Sequence, residues 1–136
     1  MACIQTPARE MSTRMKRVFL VDDHSVFRQG VGLILEERVG VDNVHAGSLA
    51  EAGRVLANLL SRLDLAVVDL DLPDGDGIAL IRILRESKPD VPVLALTPNR
   101  DMERRSGALR AGANQILSTT STGEEIVAAA ERLLDS

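Results

Sequence analysis

The chain has 136 residues, 45% of them apolar and 26% charged, which fits one globular domain and excludes a disordered chain. Its formal net charge of −4 excludes a generally basic nucleic-acid binder, though not a local basic patch. Two counts are unusual: the only aromatic residues are two Phe, and Lys16 and Lys88 are the only lysines among sixteen basic residues.

In chain order, residues 1–15 read as a polar, flexible extension and residues 16–136 as the domain. The extension lacks the apolar stretch of a secretion signal, and no apolar run approaches the ~18 residues of a membrane span. The lone Cys3 can form no internal disulfide, which suits a reducing cytoplasm. The predicted location is therefore cytoplasmic, with no membrane attachment.

VFLV (18–21) reads as the first strand. Phe27, Val31, Ile34 and Leu35 then follow helix spacing, and 42–46 is a weaker strand. Leu49, Ala52, Gly53, Leu56 and Leu60 mark a second helix, opened by the capping-box pair Ser48 and Glu51. LAVV (65–68) is the third strand, and Ile78, Ile81 and Leu84 predict a helix over 77–87 that stops before Pro89. VPVLAL (91–96) is the fourth strand. Met102, Ser106 and Leu109 predict a helix over 100–111, and 114–118 is a second weak strand. Ile126, Ala129, Ala130, Leu133 and Leu134 predict the last helix, capped by Thr122 and Glu125. Three of the strands are nearly continuous apolar runs, the pattern of strands buried on both faces. Strand and helix alternate five times, which predicts an α/β domain of three layers with right-handed crossovers.

The acidic residues sit where strands end. Asp22 and Asp23 follow the first strand, Asp69 the third, and Thr97 the fourth. In open α/β sheets, ligands bind outside the carboxyl ends of the strands, at the point where strand order reverses. In the order 2-1-3-4-5 the first and third strands are neighbours there, so the three acids converge. Two unit charges about 4 Å apart repel by about 4 kcal/mol at an effective dielectric of 20. A hard divalent cation such as Mg²⁺ relieves this, and a carboxylate beside it can attack phosphorus. An Asp pair at a strand end more often caps a turn or helix. The convergence with Asp69 and Thr97 favours a site.

Taken together, VFLVDDHSVFRQGV (18–31), VVDLDLPDGDG (67–77), LALTP (94–98) and AGANQIL (111–117) resemble the receiver domain of bacterial two-component response regulators. The DDHSVFRQG stretch is most similar to receivers of LuxR-type helix-turn-helix regulators. The resemblance covers about residues 16–135. It implies a flavodoxin-like (βα)₅ fold with Asp69 as phosphoacceptor. Asp23 would ligate Mg²⁺ directly, Asp22 partly through water, and Asp71 through its backbone carbonyl. Thr97 would donate its hydroxyl to the phosphoryl group, and Pro73 and Gly77 would shape the loop after the third strand. The implied partner is a sensor histidine kinase. The charges on the fourth and fifth helices separately offer a second copy, met through the face of the fourth helix, fifth strand and fifth helix, against the alternative of two solvated faces. Arginines 100, 104, 105 and 110 and the acids Glu124, Glu125, Glu131 and Asp135 offer charges for that contact. DNA would be reached only through an output domain absent from this chain, since no helix-turn-helix lies within it.

Three positions break the family pattern. Thr119 stands where a lysine contacts the phosphoryl group, Ile116 where a switch aromatic sits, and Pro98 stiffens the loop after Thr97. Neither Lys16 nor Lys88 can substitute by position; Arg100 is the competing source of charge. Losing a charged hydrogen bond of about 2 kcal/mol removes much of the ~5.5 kcal/mol that a full two-state switch requires. The expectation is an atypical receiver, controlling transcription, whose phosphorylation is weakly coupled to shape. The alternative is a stand-alone pseudo-receiver that binds a partner or ligand independently of phosphorylation. A haloacid-dehalogenase-type phosphatase would carry its D-x-D on the first strand, with a downstream Lys and acidic pair that are missing here, so no enzyme is expected beyond self-phosphorylation. His24 reads as a helix-start histidine, because a zinc site needs three or four ligands.

Overall fold

The computed structural model describes residues 15–59, 62–98 and 100–135. Most of the expected leading extension, with Cys3, and the Leu60 position of the second helical stripe lie outside the described residues. Strands β1 (Arg17–Val21), β2 (Asp42–Ala46), β3 (Leu65–Asp69), β4 (Val93–Leu96) and β5 (Gln115–Leu117) form one parallel sheet. Its order is β2-β1-β3-β4-β5, the flavodoxin-like order expected from the resemblance. Helices α1 (Ser25–Val39), α2 (Leu49–Asn58), α3 (Gly77–Ser87), α4 (Met102–Ala111) and α5 (Gly123–Asp135) cover both faces.

Every residue of β3 and β4 is buried, which is why both read as unbroken apolar runs. The edge strands β2 and β5 are half-buried and gave weaker patterns. Alternate residues feed two separate cores, as strand geometry requires. Phe19, Val21, Ala66 and Val68 pack with α2, α3 and α4 on one face. Val18, Leu20, Leu65 and Val67 pack with α1 and α5 on the other.

Local chemistry sets the helix ends. Thr122 and Glu125 form the complete capping box at 3.1 Å each way. Ser48 accepts from the Glu51 amide at 3.1 Å, but Glu51 reaches back to the amide of Gly47 rather than of Ser48. The remaining amides of α2, at Leu49 and Ala50, donate to Asp74 at 2.8 and 2.9 Å. Gly40 closes α1 with φ of 72°, a conformation that favours glycine.

Three details differ from the sequence expectation. β4 starts at Val93, because Pro92 has no amide and Val91 donates into a turn at Lys88. α4 starts at Met102, behind an Asp101 cap that accepts from Glu103 at 2.9 Å. Its Met102–Ser106–Leu109 stripe does not face the core: Met102 is 74% exposed and Leu109 51%, while Ala108 is fully buried. A short hairpin, Asp71–Leu72 paired with Gly75–Asp76, also stands between β3 and α3, where no regular structure was expected. No helix among the described residues is long and apolar enough to cross a membrane.

Candidate functional site

The buried polar side chains among the described residues are Asp22, Asp69 and Thr97. All three lie at the carboxyl edge of the sheet. Backbone bonds place them: Asp22 donates to Ala46 at 3.1 Å, Leu70 to Leu96 at 2.9 Å, and Thr97 to Leu117 at 3.1 Å. Each extends a strand pairing by one residue, so the pairing of the strands fixes where Asp22, Asp69 and Thr97 sit.

Asp22, Asp23, His24 and Asp69 each present a ligand atom, and these four atoms lie within 4.8 Å of one another. The His24 amide donates to Asp22 Oδ1 at 2.8 Å, and its Nδ1 lies 2.9 Å from the same oxygen and 3.2 Å from Asp23 Oδ1. The hydrogen bond to Asp22 and the charge of Asp23 hold the imidazole above its ordinary pKa. His24 does open α1, as expected, but it also sits over the acids.

Burial pushes the Asp69 carboxyl up to about 7. The Asp71 amide, donating to Asp69 Oδ1 at 2.9 Å, opposes that rise, and the charges of Asp22, Asp71 and Asp23 add to it. Two buried acids and an exposed third, all with oxygen donors, fit a hard divalent cation.

Gly77 belongs to the site for a steric reason. A Cβ there would lie 2.4 Å from the Asp69 carbonyl oxygen and 2.8 Å from the Leu70 Cα. The need is close approach of backbone to backbone, not unusual torsion angles. Pro73, at the hairpin turn, and Pro98, after Thr97, are exposed.

The Thr119 amide donates to the Thr97 carbonyl at 3.3 Å, and half-buried Ile116 packs against the α3–α4 core. Neither lysine reaches the acids. Lys16 donates to the Leu134 carbonyl at 2.6 Å, and Lys88 ends α3, both at the opposite edge. Arg100 is exposed.

Sequence reasoning missed the cation that does reach the loop. Arg104 Nη2 donates to the Leu70 carbonyl at 2.9 Å and to Asp71 Oδ1 at 2.8 Å, and Nη1 donates to Asp76 Oδ2 at 3.1 Å. Thr97 Oγ1 donates to the other oxygen of Asp71 at 3.2 Å. The signal was the Asp71 and Asp76 pair, which needs a counter-charge, with Arg104 one turn beyond Arg100. Arg38 of α1 engages Glu124 and Glu131 of α5, so two of the acids expected to face a second copy point toward α1.

The family model for the response regulator receiver domain matches residues 18–131. The chain belongs to the response regulator receiver domain family. The receiver is 42% identical over 130 residues to the DNA-binding transcriptional activator DevR/DosR of Mycobacterium tuberculosis, covering 90% of this chain and 58% of that protein. It is similar to a two-component response regulator of the LuxR family from Aurantimonas sp. SI85-9A1, with TM-score 0.77, 31% identity, and coverage of 89% of this chain and 86% of that one. It is also similar to the beryllofluoride-activated NtrC4 receiver domain dimer, with TM-score 0.78, 29% identity, and coverage of 89% and 98%. The receiver spans 52% to 58% of the length of the curated relatives it matches.

Proposed function

We propose that this receiver takes a phosphoryl group onto Asp69 and reports it weakly, as an atypical member of its family. The observation that carries the proposal is a carboxyl buried at the end of the central strand, beside Asp22, and pushed up to about 7. A buried carboxylate whose charge is poorly compensated favours whatever brings positive charge. Asp22, Asp23, Asp69 and the Asp71 carbonyl would hold Mg²⁺, which supplies charge neutralisation for the acids and the entering phosphoryl oxygens.

With its charge compensated, Asp69 is ionised at neutral pH. One of its oxygens attacks phosphorus on a phosphohistidine of a sensor histidine kinase. The phosphorus–nitrogen bond breaks, and its electron pair returns to the imidazole. Thr97 donates its hydroxyl to a phosphoryl oxygen. The signal passes to a DNA-binding output domain outside these residues and so to transcription, by analogy with the named relatives. The protein works in the cytoplasm, where such a kinase presents its phosphohistidine. Self-association runs through α4, β5 and α5. Coupling is weak because Thr119 offers no cation and Ile116 no aromatic ring to follow Thr97.

The test is incubation with Mg²⁺ and acetyl phosphate, followed by intact mass and light scattering. The proposal predicts a stoichiometric phosphoryl adduct, absent in Asp69→Asn, with no change in oligomer size. Absence of any adduct would favour a phosphorylation-independent interaction module. An adduct accompanied by dimerisation would overturn the weak coupling.

A further inference from the structure

Thr97 and Arg104 hold the two oxygens of one carboxylate. Thr97 Oγ1 donates to Asp71 Oδ2 and Arg104 Nη2 donates to Asp71 Oδ1. Asp71 is also the residue whose amide bonds Asp69. A phosphoryl group on Asp69 and the Asp71 side chain therefore reach for the same hydroxyl from adjoining positions. Both are small anions with oxygens that take N–H and O–H donors in the same way, and the planar arginine fork suits either.

We propose that the Asp71 carboxylate is a built-in stand-in for the phosphoryl group, and that Arg104 is the cation that meets the phosphoryl oxygens once Asp71 is displaced. This rests on the reading of Asp69 as phosphoacceptor. It gives the receiver a source of the positive charge that Thr119 lacks, from α4 rather than from the end of β5.

Three further observations support it. The Asp71 side chain is 46% exposed, so it can turn into solvent with little desolvation to undo. Arg104 is only 22% exposed and stays tethered to Asp76 and the Leu70 carbonyl after Asp71 leaves. Its Nε is buried with no hydrogen-bond partner, so its bonding is incomplete while Asp71 is in place. The same arrangement explains weak coupling, since the phosphoryl group must first remove a competitor from Thr97 and Arg104.

The experiment is titration of the full chain with beryllofluoride in the presence of Mg²⁺, followed by fluorine NMR, with melting curves to show that each variant folds. Asp71→Ala is expected to tighten binding about tenfold, and Arg104→Met to weaken it about tenfold, each equivalent to about 1.4 kcal/mol. Arg104→Met should also move a bound fluorine resonance. Arg104→Lys, which keeps charge without the fork, is expected to lose less, and it replaces Arg104→Met if that variant does not fold.

Long-range charge alone would give the same signs, so the deciding readout is the cycle. In a Thr97→Val, Arg104→Met background the gain from Asp71→Ala should shrink toward none, and in Thr97→Val, Arg104→Lys, used if the first does not fold, it should shrink to a smaller extent. A full, additive gain there overturns the competition. Binding by the unaltered chain, lost in Asp69→Asn but indifferent to Asp71 and Arg104, overturns this inference and leaves the phosphoacceptor reading intact. Failure of both the unaltered chain and Asp71→Ala to bind removes both. Binding by Asp71→Ala alone supports both.

Discussion

The two edges of the sheet carry charged loops of similar length, yet they treat charge in opposite ways. At the amino edge, polar groups tie elements together. Arg85 donates to the Gly112 and Val91 carbonyls and to Asn114, Asn114 accepts from the Val93 amide, and Asp64 takes the Arg17 amide and Arg62. At the carboxyl edge, Asp22 and Asp69 are buried beside each other, and burial drives Asp69 toward its neutral form. The first edge stabilises the fold by itself. The second ties Arg104 to Asp71 and Asp76, yet packs Asp22 and Asp69 side by side in the interior, and on the function proposed above that imbalance is what a phosphoryl site requires.

The largest expected effect tests the amino edge. Arg85→Met removes charged hydrogen bonds of about 1.5–3 kcal/mol each before allowance for exposure, so denaturant unfolding should show a loss of about 3 kcal/mol. The loss should be the same with and without Mg²⁺. Dependence on Mg²⁺ would mean that the edges are not separate.

The second prediction has the opposite sign. The folded-state pKa of Asp69 lies above its ordinary value of 3.8, at about 7. Its contribution to stability is therefore fully present below about 3.8 and lost as pH rises through about 7. Asp69→Asn should stabilise the chain on the order of 1–3 kcal/mol at pH ~8 without divalent ions, with the gain fading toward pH ~4. Melting curves across pH check this. Mg²⁺ should raise the melting temperature of the unaltered chain but not of the variant. A destabilising Asp69→Asn at pH ~8 would break the comparison between edges.

Much of this was legible in the sequence, for physical reasons that can be named. β3 and β4 were readable because burial on both faces demands unbroken apolar runs. Asp22, Asp23, Asp69 and Thr97 were readable because strand ends in an α/β sheet point to one edge. The hairpin of Asp71–Leu72 and Gly75–Asp76 was not, since two-residue strands leave no periodicity. Asp74 capping α2 was equally hidden, because its partners lie more than twenty residues earlier. Arg104 was masked by α4 itself. Met102 and Leu109 look like a core stripe but are exposed, so the helix is turned from the orientation its apolar residues suggest and brings an arginine inward.

Smaller effects sharpen the same contrast. Thr122→Ala, which breaks the capping box of α5, should cost about 1 kcal/mol and leave Mg²⁺ binding unchanged, as calorimetry would show. The two histidines should titrate on opposite sides of 6.5 by NMR. His24 lies above it through Asp22 and Asp23, and His45 below it through burial and the charge of Arg28. Mg²⁺ should lower the His24 value by neutralising those acids and leave His45 in place.

The most direct measurement is peptide mapping of the phosphoryl adduct after acetyl phosphate treatment, with Mg²⁺ and with a chelator. The account predicts modification of Asp69 alone, present with Mg²⁺ and absent with chelator. An adduct on another residue, or one formed equally without a divalent ion, would contradict it.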